Sequence, residues 1–183
     1  MAIPPIVTEI IGKFVIALVF TAINCVIIRE IATLFGAEDE SFSTGAAVAV
    51  WIGVALFISS FLGKYPIVAF TLSFLTFLFM IYLMKRYYSF TWNNALLMFL
   101  AWMSILIYLA LIIYAVTLPR YILAFLGLIP LGLNLGYVYL MRLLRNWTSS
   151  SNAKAAAGIA MSIIGFVLVN VGWYLVFKIY FPI

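Results

Sequence analysis

Hydrophobic residues come along this chain in six long continuous stretches, and short segments between them carry most of the charges and turn residues. The stretches run over 5–28, 44–63, 65–84, 93–116, 121–142 and 154–180. A helix needs about 20 apolar residues to cross the hydrocarbon core of a bilayer, so each stretch is long enough to span, some with tilt. Because the runs are continuous rather than alternating, the pattern predicts helices and not a barrel.

The connections between the stretches are of two kinds. Those at 63–66 and 117–120 are too short for anything but a tight turn between antiparallel neighbours. The other three are longer and lie together on the opposite face. We therefore predict that residues 1–183 form one transmembrane domain. Its fold class is all-α, an integral membrane bundle of six transmembrane helices arranged as three consecutive helical hairpins.

Composition supports this placement. The chain is 68% hydrophobic and 8% charged, against roughly 45–50% apolar residues in soluble domains. The first stretch has no Ala-x-Ala cleavage site, so we interpret it as a retained span and not a signal peptide. Its single cysteine, Cys25, excludes an intramolecular disulfide framework and is expected to be a small packing residue.

Positive charge is distributed unevenly between the two faces. Six of the ten lysines and arginines fall in or beside the longer connections: Arg29, Lys85, Arg86, Arg142, Arg145 and Lys154. Lys13, Lys64, Arg120 and Lys178 fall on the other face. The positive-inside rule then predicts a multi-pass protein of the cell membrane with cytoplasmic longer loops and both termini outside. We expect Arg29, Lys85, Arg86, Arg142 and Arg145 to act as interfacial anchors.

The longer loops also carry apolar and aromatic side chains: Ile31, Leu34 and Phe35; Tyr87, Tyr88, Phe90 and Trp92; Leu143, Leu144 and Trp147. Such side chains favour the headgroup zone, where an apolar body and a polar edge are both accommodated. The loops are therefore predicted to lie on the membrane and to contact lipid.

Parts of the sequence occur more than once. "YLMKRYY" at 82–88 resembles "YLMRLLR" at 139–145, and "LAWMSI" at 100–105 resembles "GIAMSI" at 158–163. A looser third copy is "VIIRE" at 26–30 followed by "AVWIGV" at 49–54. We interpret these as one repeated hairpin, with chance similarity between apolar segments as the alternative. The repeat predicts that Lys85 and Arg142 occupy equivalent positions on one membrane face.

Residue types that carry chemistry are scarce. The chain has no histidine, and no acid follows Glu40. Histidine and carboxylates are the usual metal ligands and proton-transfer groups, so the sequence predicts no metal, no cofactor and no enzymatic activity. A net charge of +5 spread over two faces also argues against a nucleic-acid partner.

Three asparagines, Asn24, Asn134 and Asn170, fall inside the predicted spans. An amide in hydrocarbon must find a hydrogen-bond partner, which in most cases lies on a neighbouring helix. We expect these residues to hold helices together, and contact with a ligand is the alternative.

Around Asn134, the segment "GLIPLGLNLG" supplies Pro130, Gly132 and Gly136. The proline is expected to bend the helix, and the glycines are expected to admit another backbone closely. Such a segment is either a tight packing seam or, as in broken transporter helices, a substrate site.

The last stretch begins with small residues spaced four apart, Ala156 with Ala160 and Gly158 with Ser162. Pairs of this kind predict close packing on another helix, of this chain or of a partner.

A basic helix end, a loop containing "GAEDESF" or "YSFTW", and then an Ala-rich outbound helix resemble small polytopic membrane proteins of archaea. That resemblance implies no activity. Size and helix count are also similar to the substrate-binding S-components of energy-coupling-factor vitamin transporters, in architecture alone and without their ligand motifs.

Together these features favour a non-catalytic structural or assembly subunit of a larger membrane complex, with other membrane subunits and lipids as partners. The alternative is a permeation or substrate-binding component for a small solute. A third possibility is a lipid-binding membrane protein.

Overall fold

The computed structural model describes residues 5–37, 41–62, 65–117, 125–144 and 152–180, which form helices joined by short turns. Within these ranges there is no strand, which confirms the all-α prediction. The principal helices are α1 (Pro5–Leu34), α2 (Phe42–Leu62), α3 (Pro66–Tyr87), α4 (Trp92–Thr117), α5 (Leu128–Leu143) and α6 (Asn152–Tyr180).

Four of these helices, α1, α2, α4 and α6, are long and apolar enough to cross a membrane. Helix α3 has 22 residues and carries Lys85 and Arg86 in its last turn. Helix α5 has 16 residues, fewer than the predicted stretch at 121–142, the beginning of which lies outside the described residues. The chain divides into two compact units, Met1–Ala95 and Leu96–Ile183.

Helix α1 continues six residues beyond its predicted end at Ile28, so Arg29 and Ile31 are helical rather than part of a loop. It stops at Gly36, which has a φ of 69°. The amide of Ala37 donates to the Ala32 carbonyl at 3.1 Å, and the amide of Gly36 donates to the Thr33 carbonyl at 2.9 Å. These two bonds form a Schellman motif, which glycine favours because it adopts positive φ without a Cβ penalty.

Helix α3 ends in a related way. Ser89 takes the left-handed position with a φ of 53°, and the Phe90 amide donates to the Lys85 carbonyl at 3.1 Å. Both turns fold the following side chain back onto the helix. The first two longer connections therefore begin with the same local geometry, although a serine stands in the second where glycine stands in the first.

In the N-terminal unit, α1 packs on α2 and α2 packs on α3. A Cβ at Gly45 would lie 3.1 Å from the Cys25 carbonyl oxygen, and a Cβ at Gly53 would collide with the Thr21 hydroxyl. These two glycines therefore let α1 and α2 approach closely at two levels, as small residues do between helices in lipid.

The far end of the α1–α2 pair is held by Lys13. Its Nζ lies 2.7 Å from Glu9 Oε1, donates to the Ser60 carbonyl at 3.1 Å and stands 4.3 Å from the centre of the Phe61 ring. Glu9 and Lys13 therefore tie the beginning of α1 to the end of α2, which fixes the two helices as antiparallel.

In the C-terminal unit, α5 packs on α6. The buried side chains of α5 are Pro130, Asn134, Val138 and Met141. Their spacing of four, four and three residues places them on one helical face. On α6 the buried positions include Gly158 and Ser162. Helix α4 is buried around its whole circumference from Asn94 to Trp102.

The serine at the end of α3 gives a test of these turns. Ser89→Gly should raise the free energy of unfolding by about 1 kcal/mol, because glycine adopts positive φ without steric cost. Gly36→Ala should lower it by a similar amount for the opposite reason. Thermal unfolding in detergent, followed by size-exclusion chromatography, measures both. Equal midpoints for Ser89→Gly and the unchanged protein would contradict the strained turn.

Candidate functional site

The C-terminal unit brings together two of the three predicted asparagines. Asn134 on α5 is 3% exposed, and its Nδ2 donates to Asn170 Oδ1 on α6 at 3.3 Å. Asn170 Nδ2 donates back to Asn134 Oδ1 at 3.3 Å and also to the Phe166 carbonyl at 2.7 Å. The two amides therefore satisfy each other across the helix pair, as adhesion between helices requires in an apolar medium.

Tyr137, which the sequence pattern did not single out, strengthens the same contact one turn further along α5. Its hydroxyl donates to the Met161 carbonyl of α6, and its ring lies where a Cβ on Gly165 would have to be. The sequence signal that could have revealed this contact is a glycine placed opposite a tyrosine in an antiparallel helix pair. The ring fills the space that the missing side chain leaves.

The structure changes the interpretation of Pro130. Phe125 and Leu126 are helical, Gly127 is a turn residue, and α5 begins at Leu128 with Pro130 in its first turn, so the helix is interrupted just before Pro130 rather than bent at it. There the missing amide hydrogen is not needed by an intrahelical bond, so proline is tolerated without breaking the helix. Its side chain is buried on the same face as Asn134.

Gly132 and Gly136 lie on exposed positions of α5. A Cβ built on either would meet no described atom within 4 Å. The close backbone approach that these glycines predict is therefore not made within the described part of this chain, and their small surface is open.

The small residues of α6 do not form one face, contrary to the sequence interpretation. Gly158 and Ser162 are buried, whereas Ala156 and Ala160 are exposed. Residues two positions apart differ by about 200° around a helix, so the two pairs point to opposite sides. The Ser162 hydroxyl donates to the Gly158 carbonyl at 2.8 Å.

Asn24 is fully buried in the N-terminal unit. Its Nδ2 donates to the Phe20 carbonyl, one turn earlier in α1, at 2.7 Å. Next to it, the buried Cys25 thiol donates weakly to the Phe42 carbonyl at 3.9 Å. Both polar groups lie where α1 meets the beginning of α2.

The predicted basic anchors differ in their surroundings. Arg29 makes an exposed ion pair with Glu30 at 3.5 Å, and Lys85 Nζ stands 4.7 Å from the centre of the Trp92 ring. Arg86 is exposed in the last turn of α3, and Arg142 is half-buried in the last turn of α5. Arg145 lies outside the described residues, as does Trp147.

The prediction that the loop side chains lie on the membrane is wrong for four of the seven side chains named in the first two loops. Ile31, Phe35, Tyr88 and Phe90 are buried, while Leu34, Tyr87 and Trp92 are exposed. Tyr88 and Phe90 stack at 5.8 Å between ring centres. For Phe90 the cause is the left-handed Ser89 before it, which reverses the chain and returns the next side chain to the core. In the third loop, Leu143 and Leu144 are exposed.

A groove of about 670 Å³ lies between α2 and α3, and we name it the α2–α3 groove. Its lining residues are Thr44, Trp51, Phe79, Tyr82, Leu83, Arg86 and Tyr87. The rings of Trp51 and Phe79 meet edge to face at 6.1 Å between their centres. Sequence patterns identified Arg86 and Tyr87 but could not bring them together with residues of α2.

Among the described residues, no group of three His, Cys, Asp or Glu side chains is placed to hold a metal ion. Comparison of the chain with protein families, curated proteins and solved structures gives no match. No activity or partner is therefore carried over to it from a relative.

The amide pair makes a direct test possible. In a double-mutant cycle, Asn134→Leu and Asn170→Leu should show a coupling free energy of about 0.6 to 1.7 kcal/mol, because each amide satisfies the other. Reversible unfolding in mixed micelles measures it. The control cycle combines Asn170→Leu with Asn24→Leu, whose amide bonds within its own helix, and should be additive. An additive Asn134 and Asn170 pair would contradict the reciprocal bond.

Proposed function

We propose that this chain is a non-catalytic integral membrane protein that serves as a structural or assembly subunit of a larger membrane complex. One observation carries the proposal. Gly132 and Gly136 on α5, and Ala156 and Ala160 on α6, are exposed small residues at four-residue spacing. We call these pairs the open small faces.

The use of the remaining polar groups supports this function. Asn134 and Asn170 bond to each other, Tyr137 bonds to a backbone carbonyl, and Thr21 bonds within its own helix at 2.7 Å. These side chains hold the chain's own helices and are not directed to a solute or a reacting group. The exposed surface that remains available to a partner is mostly apolar and includes the open small faces.

Such faces suit a helix partner in a bilayer. Lipid tails are as apolar as leucine, so helices associate there through close van der Waals contact and not through the hydrophobic effect. Small side chains bring two backbones near enough for that contact. Within the chain, Gly45 and Gly53 already serve in this way. The open small faces extend the same principle to a second protein.

The alternative of a solute permeation component receives less support. It rests on a broken helix beside a polar residue, and that residue, Asn134, is already bonded to Asn170. A solute that coordinates Asn134 would have to displace a bond that joins α5 to α6.

We further propose that all six helices span the membrane as three hairpins, with the longer connections cytoplasmic and both termini outside. The antiparallel contacts of α1 with α2, α2 with α3 and α5 with α6 fit this arrangement. The placement of Lys85, Arg86 and Arg142 in the last turns of α3 and α5 also fits, and the helix dipole favours cations there.

Assembly can be tested by filling the open small faces. Gly136→Leu and Ala160→Leu should each lower the complexed fraction about tenfold in mild-detergent extracts of native membranes, a loss of about 1.4 kcal/mol. The matched control is Gly172→Leu on α6, where an added Cβ also meets no described atom within 4 Å. Native gel mobility and crosslinking measure the fraction.

The control should leave the complex intact, since Gly172 belongs to neither open small face. If the unchanged chain is recovered only as a monomer, with nothing crosslinked to it, the subunit function is wrong. If all three variants behave alike, the open small faces are not the contact.

Orientation is tested by single cysteines in a Cys25→Ala background. Lys85→Cys and Arg142→Cys should both be labelled by a membrane-impermeant maleimide only after the cytoplasmic side is opened, because both end inbound helices. A cysteine at Ala2 should be labelled in intact cells. Labelling of the two helix-end positions from opposite sides would refute both the repeat and the proposed topology.

A further inference from the structure

The α2–α3 groove has one polar end and one apolar end. Helix α2 begins at Phe42 and α3 ends at Tyr87, so the antiparallel pair brings Thr44, Arg86 and Tyr87 to the same end of the groove. Trp51 lies seven residues after Thr44, which is about 10 Å further along the helix at 1.5 Å per residue. The groove therefore runs from a cation and hydroxyls to a pair of aromatic rings.

The described residues that line the polar end include a cation, Arg86. Arg86 takes part in neither of the ion pairs found among the described residues, which join Lys13 to Glu9 and Arg29 to Glu30. Helix α2 also points its N-terminus to this end, with the Thr44 amide donating to the Ser41 hydroxyl at 3.3 Å. An N-terminal helix dipole adds a partial positive charge.

The apolar end is open to lipid. Trp51 is 47% exposed and Phe79 is 40% exposed, although their rings touch each other edge to face. Tyr82 lies between Phe79 and Arg86 on the same face of α3, at spacings of three and four residues. Tyrosine is favoured at this depth in a bilayer, where its ring is apolar and its hydroxyl is near the headgroups.

We propose that the α2–α3 groove binds one anionic phospholipid. Its phosphate lies against the Arg86 guanidinium, the Tyr82 and Tyr87 hydroxyls face the headgroup and glycerol region, and an acyl chain follows Trp51 and Phe79. Guanidinium and phosphate match in charge and in bidentate geometry, which lysine does not reproduce. The order of groups along the groove is the order of groups along a phospholipid.

Charge complementarity selects this occupant over a partner helix. An apolar helix laid in the groove would cover the Arg86 guanidinium without offering it a counter-charge, which is unfavourable. A phospholipid supplies the counter-charge at one end and hydrocarbon at the other. The inference is independent of the subunit function, since the groove is formed entirely by α2 and α3.

Two adjacent cations allow a matched experiment. Native mass spectrometry of the full chain in neutral detergent is titrated with phosphatidylglycerol and, separately, with phosphatidylcholine. Arg86→Gln should weaken phosphatidylglycerol binding about tenfold, as expected for loss of a charge-assisted hydrogen bond. Lys85→Gln removes the same charge one residue away, beside Trp92 and outside the groove lining, and should stay within about threefold.

The apolar end is probed by fluorescence. Phosphatidylglycerol with brominated acyl chains should quench a component of the tryptophan emission that Trp51→Phe removes. Equal losses for Arg86→Gln and Lys85→Gln would overturn the proposal in favour of general surface attraction. Phosphatidylcholine binding as tightly as phosphatidylglycerol, or quenching unchanged by Trp51→Phe, would also overturn it.

Discussion

The structure depends on the requirement that polar groups inside hydrocarbon be satisfied by the protein itself. The chain meets it mostly within single helices. Among the described residues, several polar side chains donate to a carbonyl four residues earlier, one turn back along their own helix: Thr21, Asn24, Thr33, Ser59, Ser104, Ser162 and Asn170. These bonds make a polar residue compatible with the bilayer without committing it to a neighbour. Bonds between helices are fewer, and those of Asn134 and Tyr137 hold α5 to α6.

Because these polar groups already have hydrogen-bond partners, close packing decides which helices meet. The same residue type then has opposite roles at different positions. Gly53 and Gly165 have no room for a Cβ because Thr21 and the Tyr137 ring occupy that space. Gly132 and Gly136 have open space around them. A glycine in the sequence therefore marks a position where two helices can approach, and only the fold shows whether the approach is made inside the chain.

Much of the architecture follows from sequence alone, because the length and continuity of apolar stretches dictate helices in lipid. The helix starts at Phe42, Pro66 and Trp92 lie within two residues of their predicted positions. The sequence did not predict which side of a helix each residue faces, nor the conformation of single turn residues. Ala156 and Gly158 face opposite sides because a helix rotates by about 100° per residue, and composition does not take this rotation into account. The burial of Phe90 follows a left-handed serine that no turn signature predicts.

The two similar segments at 82–88 and 139–145 can be compared position by position. Aligning "YLMKRYY" with "YLMRLLR" pairs Met84 with Met141, and both methionines are almost completely buried. The same alignment pairs Arg86 with Leu143, which is exposed. Packing positions are thus kept while the exposed position changes from a cation to an apolar residue. If the hairpins share an origin, the second copy has the helix end but not the groove cation, so any lipid recognition through Arg86 belongs to one hairpin and is not a property of the repeat.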